Sequence, residues 1–273
     1  MDMKPAVALV GLGALWALWK GIKSLKKSRT TSDLNYQRVV AIVDSQHEGI
    51  LSKLDKLETQ SSISQKTFIA VKDAFDQLEK AEPIPQNIYL VIHTLGGSLS
   101  AAEAICRRIL LARSRGIKVY CYIPYFAYSA GCMIASACDE IRMSESAFLG
   151  PADAQTSSKS GGLTSVNAIC KTVEFQLDKC SPDNIKAKWY AAYTEAKSTR
   201  ERQEKWIKEM IAKGYFTEEA GASIYAQLFS GQFNHDQVIH PTWAQEIGLP
   251  VFIVTEMPAF VAKTLKHFNA LAN

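Results

Sequence analysis

The stretch from Ile88 to Ile123 constrains the fold of this chain more than any other. Ile88 to Ile92 has the composition of a fully buried strand, HTLGGS (93–98) interrupts it, and a helical pattern runs from Leu99 to Ser114 until Gly116 stops it. A second apolar strand, Lys118 to Ile123, follows at once. Strand, helix and strand with joints this short make a βαβ unit. The sheet is therefore expected to be at least partly parallel, with helices on its faces.

The flanks extend the same plan. Arg38 to Val43 is β-branched enough for a first strand, and Phe68, Val71, Phe75 and Leu78 recur at helical spacing before Pro83 and Pro85. Between them, 45–65 is polar with scattered Ile and Leu and stays ambiguous. Downstream the pattern predicts a helix over Ser129–Cys138, a strand at Ile141–Met143, a turn at Gly150-Pro151 and a flexible loop over Thr156–Thr164. Helices follow near Ser165–Leu177, Asp183–Lys213, Thr217–Leu228 and Pro241–Ile247, then a last strand, Pro250–Val254. No internal repeat is present.

With 273 residues, 47% hydrophobic and 21% charged, there is material for one core of about 200 residues plus appendages, which excludes a disordered tail protein. The formal charge of +4 is concentrated, because Lys20, Lys23, Lys26, Lys27 and Arg29 crowd one short stretch. A nucleic-acid-binding face would need its basic residues on the folded domain, so nucleic acid is not an expected partner. The six cysteines, Cys106, Cys121, Cys132, Cys138, Cys170 and Cys180, form no CxxC pair and have no His at zinc-ligand spacing. They read as free thiols in a reducing compartment.

Pro5 to Trp19 is an uncharged, mostly apolar run, and Lys20 as a snorkelling end with Gly21 and Ile22 brings it to about the 17–20 residues that cross a bilayer. The basic cluster follows the run and no AxA-like cleavage site is present, so residues 5–22 are expected to remain as a single-pass anchor. The positive-inside rule then puts the folded domain on the cytoplasmic side of the cell inner membrane. A core helix or one lying in the membrane surface is the alternative, since Trp16 and Trp19 suit an interface. The expected organisation is an anchor and linker over 1–33 and one domain over 34–273.

Two features fall where loops leave the carboxyl ends of inferred parallel strands, the place where open α/β sheets put their sites. In HTLGGS the paired glycines allow a sharp turn with outward N–H groups, as an oxyanion hole requires, although such a turn is also common without function. In FAYSAGCMIA (126–135), Ser129 precedes a small-residue helix. Its hydroxyl there is either a nucleophile or an ordinary N-cap.

HTLGGS, YSAG, DEIRMSESAFLGPADAQ and SGQFNHDQVIHPTWAQEIGL (230–249), in that order, resemble the serine dehydrogenase proteinase family. That family is related to signal-peptide peptidase A and, more distantly, to the Clp protease. The matching blocks, approximately HTPGG, SAG, GPIDPQ and SG-x-x-x-HDYPI in the family, spread over about residues 85–255. The resemblance implies an α/β fold of the crotonase and Clp-protease kind, a repeated ββα spiral with helices around a mostly parallel sheet. It also implies a homo-oligomeric serine endopeptidase that cleaves membrane-associated or signal-peptide-like polypeptides through an acyl-enzyme, with no cofactor or metal. It makes Ser129 the nucleophile and Gly96 and Gly97 the oxyanion-hole loop, with the Ala130 N–H as second donor. Leu95, Ala152, Ala154, Gln237 and Val238 depart from the family's usual residues, and none of these changes removes a reactive group.

The general base stays open between three candidates. Ala147 to Gly150, where the Clp protease keeps its His, has none. His235 with Asp236 to orient it lies in the last block, though an Asn-His-Asp run is also good helix-cap chemistry. Lys171 and Lys159 would give the serine–lysine arrangement of signal-peptide peptidase A, provided burial lowered the lysine's pKa. His93 reads as a ring holding the glycine loop by a hydrogen bond. A crotonase-like acyl-CoA enzyme and an oligomeric scaffold without turnover are the competing classes, and reaction with a fluorophosphonate separates them from a serine hydrolase.

Overall fold

The computed structural model describes residues 8–10, 39–43, 62–157, 163–180 and 185–272. Its elements run β1 (Ala8–Val10), β2 (Val39–Val43), α1 (Gln65–Glu79), β3 (Asn87–His93), α2 (Leu99–Ser114), β4 (Lys118–Ile123), β5 (Phe126–Ala127), α3 (Ala130–Ser136), β6 (Glu140–Ser144) and β7 (Phe148–Leu149). They continue with β8 (Gln155–Ser157), β9 (Leu163–Ser165), α4 (Val166–Leu177), α5 (Ala187–Ala212), α6 (Glu218–Ile224), α7 (Pro241–Ile247), β10 (Val251–Val254) and α8 (Ala259–Ala272). Two compact units result, one from residues up to Leu149 with His240–Thr242 and Pro250 onward, the other from Gly150–Ile239 with Trp243–Leu249.

The first unit holds a six-stranded sheet in the order β1-β2-β3-β4-β6-β10, with every pairing parallel. Its central strands read as apolar runs because both faces are covered: all five residues of β2 are buried, as are Ile88, Leu90, Val91 and Ile92 of β3. The parallel sheet expected from the βαβ pattern is present, and α2 spans the predicted Leu99–Ser114. Ser98 caps α2, its hydroxyl accepting from the Ala101 N–H at 3.4 Å, and the buried face of α2 packs on α1 and α3. On the opposite face Phe260 and Val261 of α8 meet Tyr89 and Tyr122, with the Phe260 ring 5.4 and 5.1 Å from the two tyrosine rings. No sequence pattern singled out α8.

Three expectations are corrected. Ala8–Val10 lies in β1, in register with Val40–Ile42 of β2, so these residues are not part of a membrane-spanning helix. A backbone must satisfy its polar groups somewhere, and the open edge of a buried parallel sheet supplies partners for Ala8–Val10. The rest of the 5–22 segment and the linker to residue 33 lie outside the described residues, among which no helix is long and apolar enough to cross a membrane. The loop expected over Thr156–Thr164 is partly a hairpin, since Gln155–Ser157 pairs antiparallel with Leu163–Ser165. The helix expected to reach Leu228 gives way at Tyr225 to a π-helical turn ending at Phe229.

The second unit consists of that hairpin, α4, α5 and α6, with the segment that follows them. Ala196, Gln203, Trp206, Ile207 and Met210 form the buried stripe of α5. Five of the cysteines are buried, Cys180 is exposed, and all six are free. Burial pushes the Cys132 thiol up to about 12, which makes it inert.

An ionic cluster joins α1 to α2. Arg108, 6% exposed, reaches Asp76 at 3.0 Å and Glu79 at 2.8 Å while stacking 5.0 Å over the Phe75 ring, and Arg115 also pairs with Glu79. Removing the guanidinium would leave the nearly buried Glu79 carboxylate with less compensation. Arg108→Ala is therefore expected to cost about 3 kcal/mol in urea unfolding. A loss under about 1 kcal/mol would show that Arg115 and water suffice.

Candidate active site

β3 and β4 are in register from Asn87↔Lys118 to Val91↔Tyr122, so HTLGGS and the segment leading to Ser129 leave neighbouring strands at the same end. Thr94 ties the two segments together. Its N–H donates to the Phe126 carbonyl at 3.3 Å, and its carbonyl accepts from the Tyr128 N–H at 3.0 Å. On the far side of the turn, the Ile63 N–H donates to the Gly96 carbonyl at 2.8 Å and the Ser98 N–H donates to the Ile63 carbonyl at 2.8 Å.

This arrangement explains both glycines. Gly96 has φ +115°, and a β-carbon there would lie 2.7 Å from Cβ of Ser129 and 3.1 Å from the Tyr128 carbonyl oxygen. At Gly97, φ +149°, a β-carbon would collide with the Ile63 backbone. The absent side chain at Gly96 lets the turn approach the serine, and the absent side chain at Gly97 lets it pack on the Ile63 backbone.

Ser129 has φ +50° and ψ −118°, and it is the one non-glycine residue with positive φ among the described residues. Such a conformation costs about 1–3 kcal/mol and persists only where surrounding bonds impose it. The N-cap alternative does not hold, since the Ser129 side chain makes no capping hydrogen bond to α3. Among the described residues the N–H groups of Gly97 and Ala130 donate to no acceptor, whereas the Gly96 N–H is bonded to Thr94 Oγ1 at 3.0 Å. Gly96 thus permits the close approach, and the unengaged donors are those of Gly97 and Ala130.

His93 does not hold the loop through Nδ1, which is buried without a partner among the described residues. Its ring packs 4.1 Å from Phe126 and 5.4 Å from Tyr125, and burial lowers its pKa.

In the second unit His235 meets an acid that its neighbours in sequence do not reveal. His235 Nδ1 lies 2.7 Å from Oδ1 of Asp153, 82 residues earlier; the carboxylate is 1% exposed and the ring 31%. Asp236, expected to orient the histidine, is exposed and has no partner among the described residues. His235 and Asp236 stand in a turn closed by the Gln237 N–H on the Asn234 carbonyl at 3.0 Å, and adjacent turn residues diverge. The same turn replaces the helix opening that the cap alternative required. The segment before it is fastened by Asn167, whose Nδ2 donates to the Phe229 carbonyl at 3.0 Å. Asp153 was visible in sequence only as the aspartate of GPADAQ, a block matched without a role.

Lys171 is exposed on α4, away from the burial that a lysine base needs, and Lys159 lies outside the described residues.

A buried parallel sheet with a strained serine set against a glycine turn defines an α/β protein with a candidate nucleophile. The sequence profile of the ClpP-like SDH-type serine proteinases matches residues 30–270, and the chain belongs to that family. It is similar to two uncharacterized proteins of Methanocaldococcus jannaschii, MJ1495 (28% identical over 203 residues, 74% of this chain) and MJ0137 (29% over 187 residues, 67%). The chain spans 64% and 60% of the length of these relatives. Two solved structures of a membrane-bound stomatin-specific protease, 1510-N, also align. One, a serine-to-alanine mutant, shows 18% identity and a TM-score of 0.48, covering 75% of this chain and 79% of that one. The other, a lysine-to-alanine mutant with a substrate peptide, shows 19% identity and a TM-score of 0.48, covering 72% of each chain.

The strain at Ser129 has a measurable consequence. Ser129→Gly and Ser129→Ala both remove the hydroxyl, but only alanine keeps a β-carbon at positive φ. The glycine variant is expected to be more stable than the alanine variant by about 1 kcal/mol in urea unfolding. Equal stabilities, or a more stable alanine variant, would show that the backbone is not strained.

Proposed function

We propose that the chain is a serine endopeptidase in which Ser129 forms the acyl-enzyme, His235 is the general base and Asp153 orients it. The observation that supports this most is Ser129 itself, whose backbone is held in a costly conformation against a glycine turn, with the Gly97 and Ala130 N–H groups unengaged among the described residues. An N-cap serine would need none of this. An acyl-CoA enzyme working only through an oxyanion hole would have no use for the hydroxyl.

In this reading Ser129 Oγ attacks the scissile carbonyl while His235 Nε2 takes the hydroxyl proton. Asp153 accepts from Nδ1–H, which selects the tautomer with Nε2 free to accept and stabilises the imidazolium that forms. The Gly97 and Ala130 N–H groups receive the developing oxyanion. His235 then gives its proton to the leaving amine, and water attacks the ester by the reverse path to free the acid product. The substrate is a polypeptide, membrane-associated or signal-peptide-like. Copies of the chain associate, a reading supported by Trp189, Tyr190 and Phe175, which are large apolar side chains exposed on α5 and α4.

Hydrolysis of fluorogenic peptides by the purified chain tests the roles. Ser129→Ala is expected to abolish turnover, and His235→Ala to lower kcat by about 10²–10⁴-fold. Asp153→Asn is expected to lower it by up to about 10⁴-fold through the wrong tautomer. Full turnover in Ser129→Ala contradicts the nucleophile assignment. Retention in His235→Ala with loss in Lys171→Ala moves the base to the lysine.

A further inference from the structure

Asp153 is 1% exposed, and the backbone on each side of it is unusually well held. The Ala152 N–H donates to the Leu228 carbonyl at 2.7 Å, and the Ala154 carbonyl accepts from the Val166 N–H at 2.9 Å. The two remaining groups nearest the aspartate both go to one side chain. Gln203 Nε2 donates to the Ala152 carbonyl at 2.7 Å, and Gln203 Oε1 accepts from the Ala154 N–H at 3.4 Å. Gln203 is itself 1% exposed, the one polar member of the buried stripe of α5. The carboxylate is held as well: Gln155 Nε2 donates to Oδ2 at 3.1 Å, and Oδ1 faces His235 Nδ1 at 2.7 Å.

We propose that Gln203 is a positioning residue for the reaction: by clasping the peptide groups on both sides of Asp153 it fixes the carboxylate, with Gln155 on its other oxygen, in the one orientation that serves His235. This rests on the catalytic reading of His235 and Asp153 given above.

A buried amide in an apolar stripe is tolerated because both its donor and its acceptor are used, and here both are used within one residue of a single side chain. A glutamine needed only to fasten α5 could have bonded any exposed loop. Bridging a carbonyl and an N–H two residues apart instead prevents the intervening residue from rotating about its φ and ψ. The Cα–Cβ bond of Asp153 is thereby aimed at the ring, Gln155 on the second oxygen holds the side-chain torsions, and His235 keeps its tautomer.

The test uses the full chain and the bimolecular rate at which a fluorophosphonate labels Ser129. Gln203→Met keeps the length and most of the volume of the side chain and removes both hydrogen bonds. It is expected to slow labelling by about 10²-fold, the scale of a displaced catalytic group. A purely structural role could also slow labelling, so the decisive comparison is in the His235→Ala background. There Gln203→Met is expected to change the rate by no more than about twofold, because the group it positions is gone. The inference is overturned if Gln203→Met labels at the parent rate, or if its loss is undiminished without His235. Should Gln203→Met lack a melting transition, Gln155→Met removes only the bond to Oδ2 from a half-buried site. It is expected to slow labelling about tenfold, again only when His235 is present, and a parent-like rate overturns the positioning of Asp153. A parent chain that the probe does not label removes the nucleophile itself and the inference with it, whereas a labelled parent with an indifferent Gln203→Met removes only the inference.

Discussion

Thr94, wholly buried at the end of β3, bonds through its backbone to both sides of Ala127 and through its hydroxyl to the Gly96 N–H. The placement of Ser129 against the glycine turn depends on that pin. Parallel pairing of β3 with β4 brings two loops out at one end of the sheet, but pairing alone does not decide how close they come. Thr94 continues the ladder past the ends of the strands, so that the residues before Ser129 run as a further strand beside the glycine turn. Ser129 must then turn sharply into α3, and the positive φ is the result. The strain at Ser129 and the need for glycine at 96 follow from one short extension of a parallel sheet, while Gly97 answers to the Ile63 backbone on the other side of the turn.

The second unit solves a different problem, the placement of a charge. An ionised carboxylate that is 1% exposed is costly unless hydrogen bonds surround it. Asp153 has His235 on one oxygen and the Gln155 amide on the other, and the N–H and carbonyl of both Ala152 and Ala154 beside it are bonded. This is more fixation than a structural ion pair needs. By contrast, Arg108 meets Asp76 and Glu79 as an ion pair between two helices, with no side chain clasping the backbone beside either carboxylate among the hydrogen bonds described.

Much of the first unit was legible in sequence, because its information is local. The buried strands, the span of α2 and the glycine turn each depend on residues within a few positions of one another, and the patterns at 88–92, 99–114 and 118–123 declare them. Ser129 could be named by its motif, but its strain could not, since positive φ arises from contacts with Thr94 and Gly96 more than thirty residues away. The carboxylate that meets His235 was hidden for the same reason. Asp236 is adjacent to His235 in sequence, while Asp153 reaches the ring across 82 residues that no periodicity connects. Gln203 left no signal beyond a polar residue in an apolar stripe. Ala154, where the resembled motif has proline, was noted as a substitution, yet its consequence, a buried N–H that requires an acceptor, becomes visible only beside Gln203. The apolar N-terminal run was long enough to suggest a membrane span, and hydropathy does not distinguish a bilayer from the open edge of a buried sheet, where Ala8–Val10 is found.

The central claim is that the glycine turn and Ser129 are arranged to receive a tetrahedral species. A crystal structure of the chain soaked with a peptide boronic acid tests it most directly, because boron becomes tetrahedral only on a nucleophile and its oxygen occupies the place of the oxyanion. The account predicts a covalent bond from Ser129 Oγ to boron, with one boronate oxygen at about 2.7–3.1 Å from the N–H groups of both Gly97 and Ala130. A boronate bound elsewhere, or bonded to Ser129 with its oxygens turned away from both donors, would contradict it.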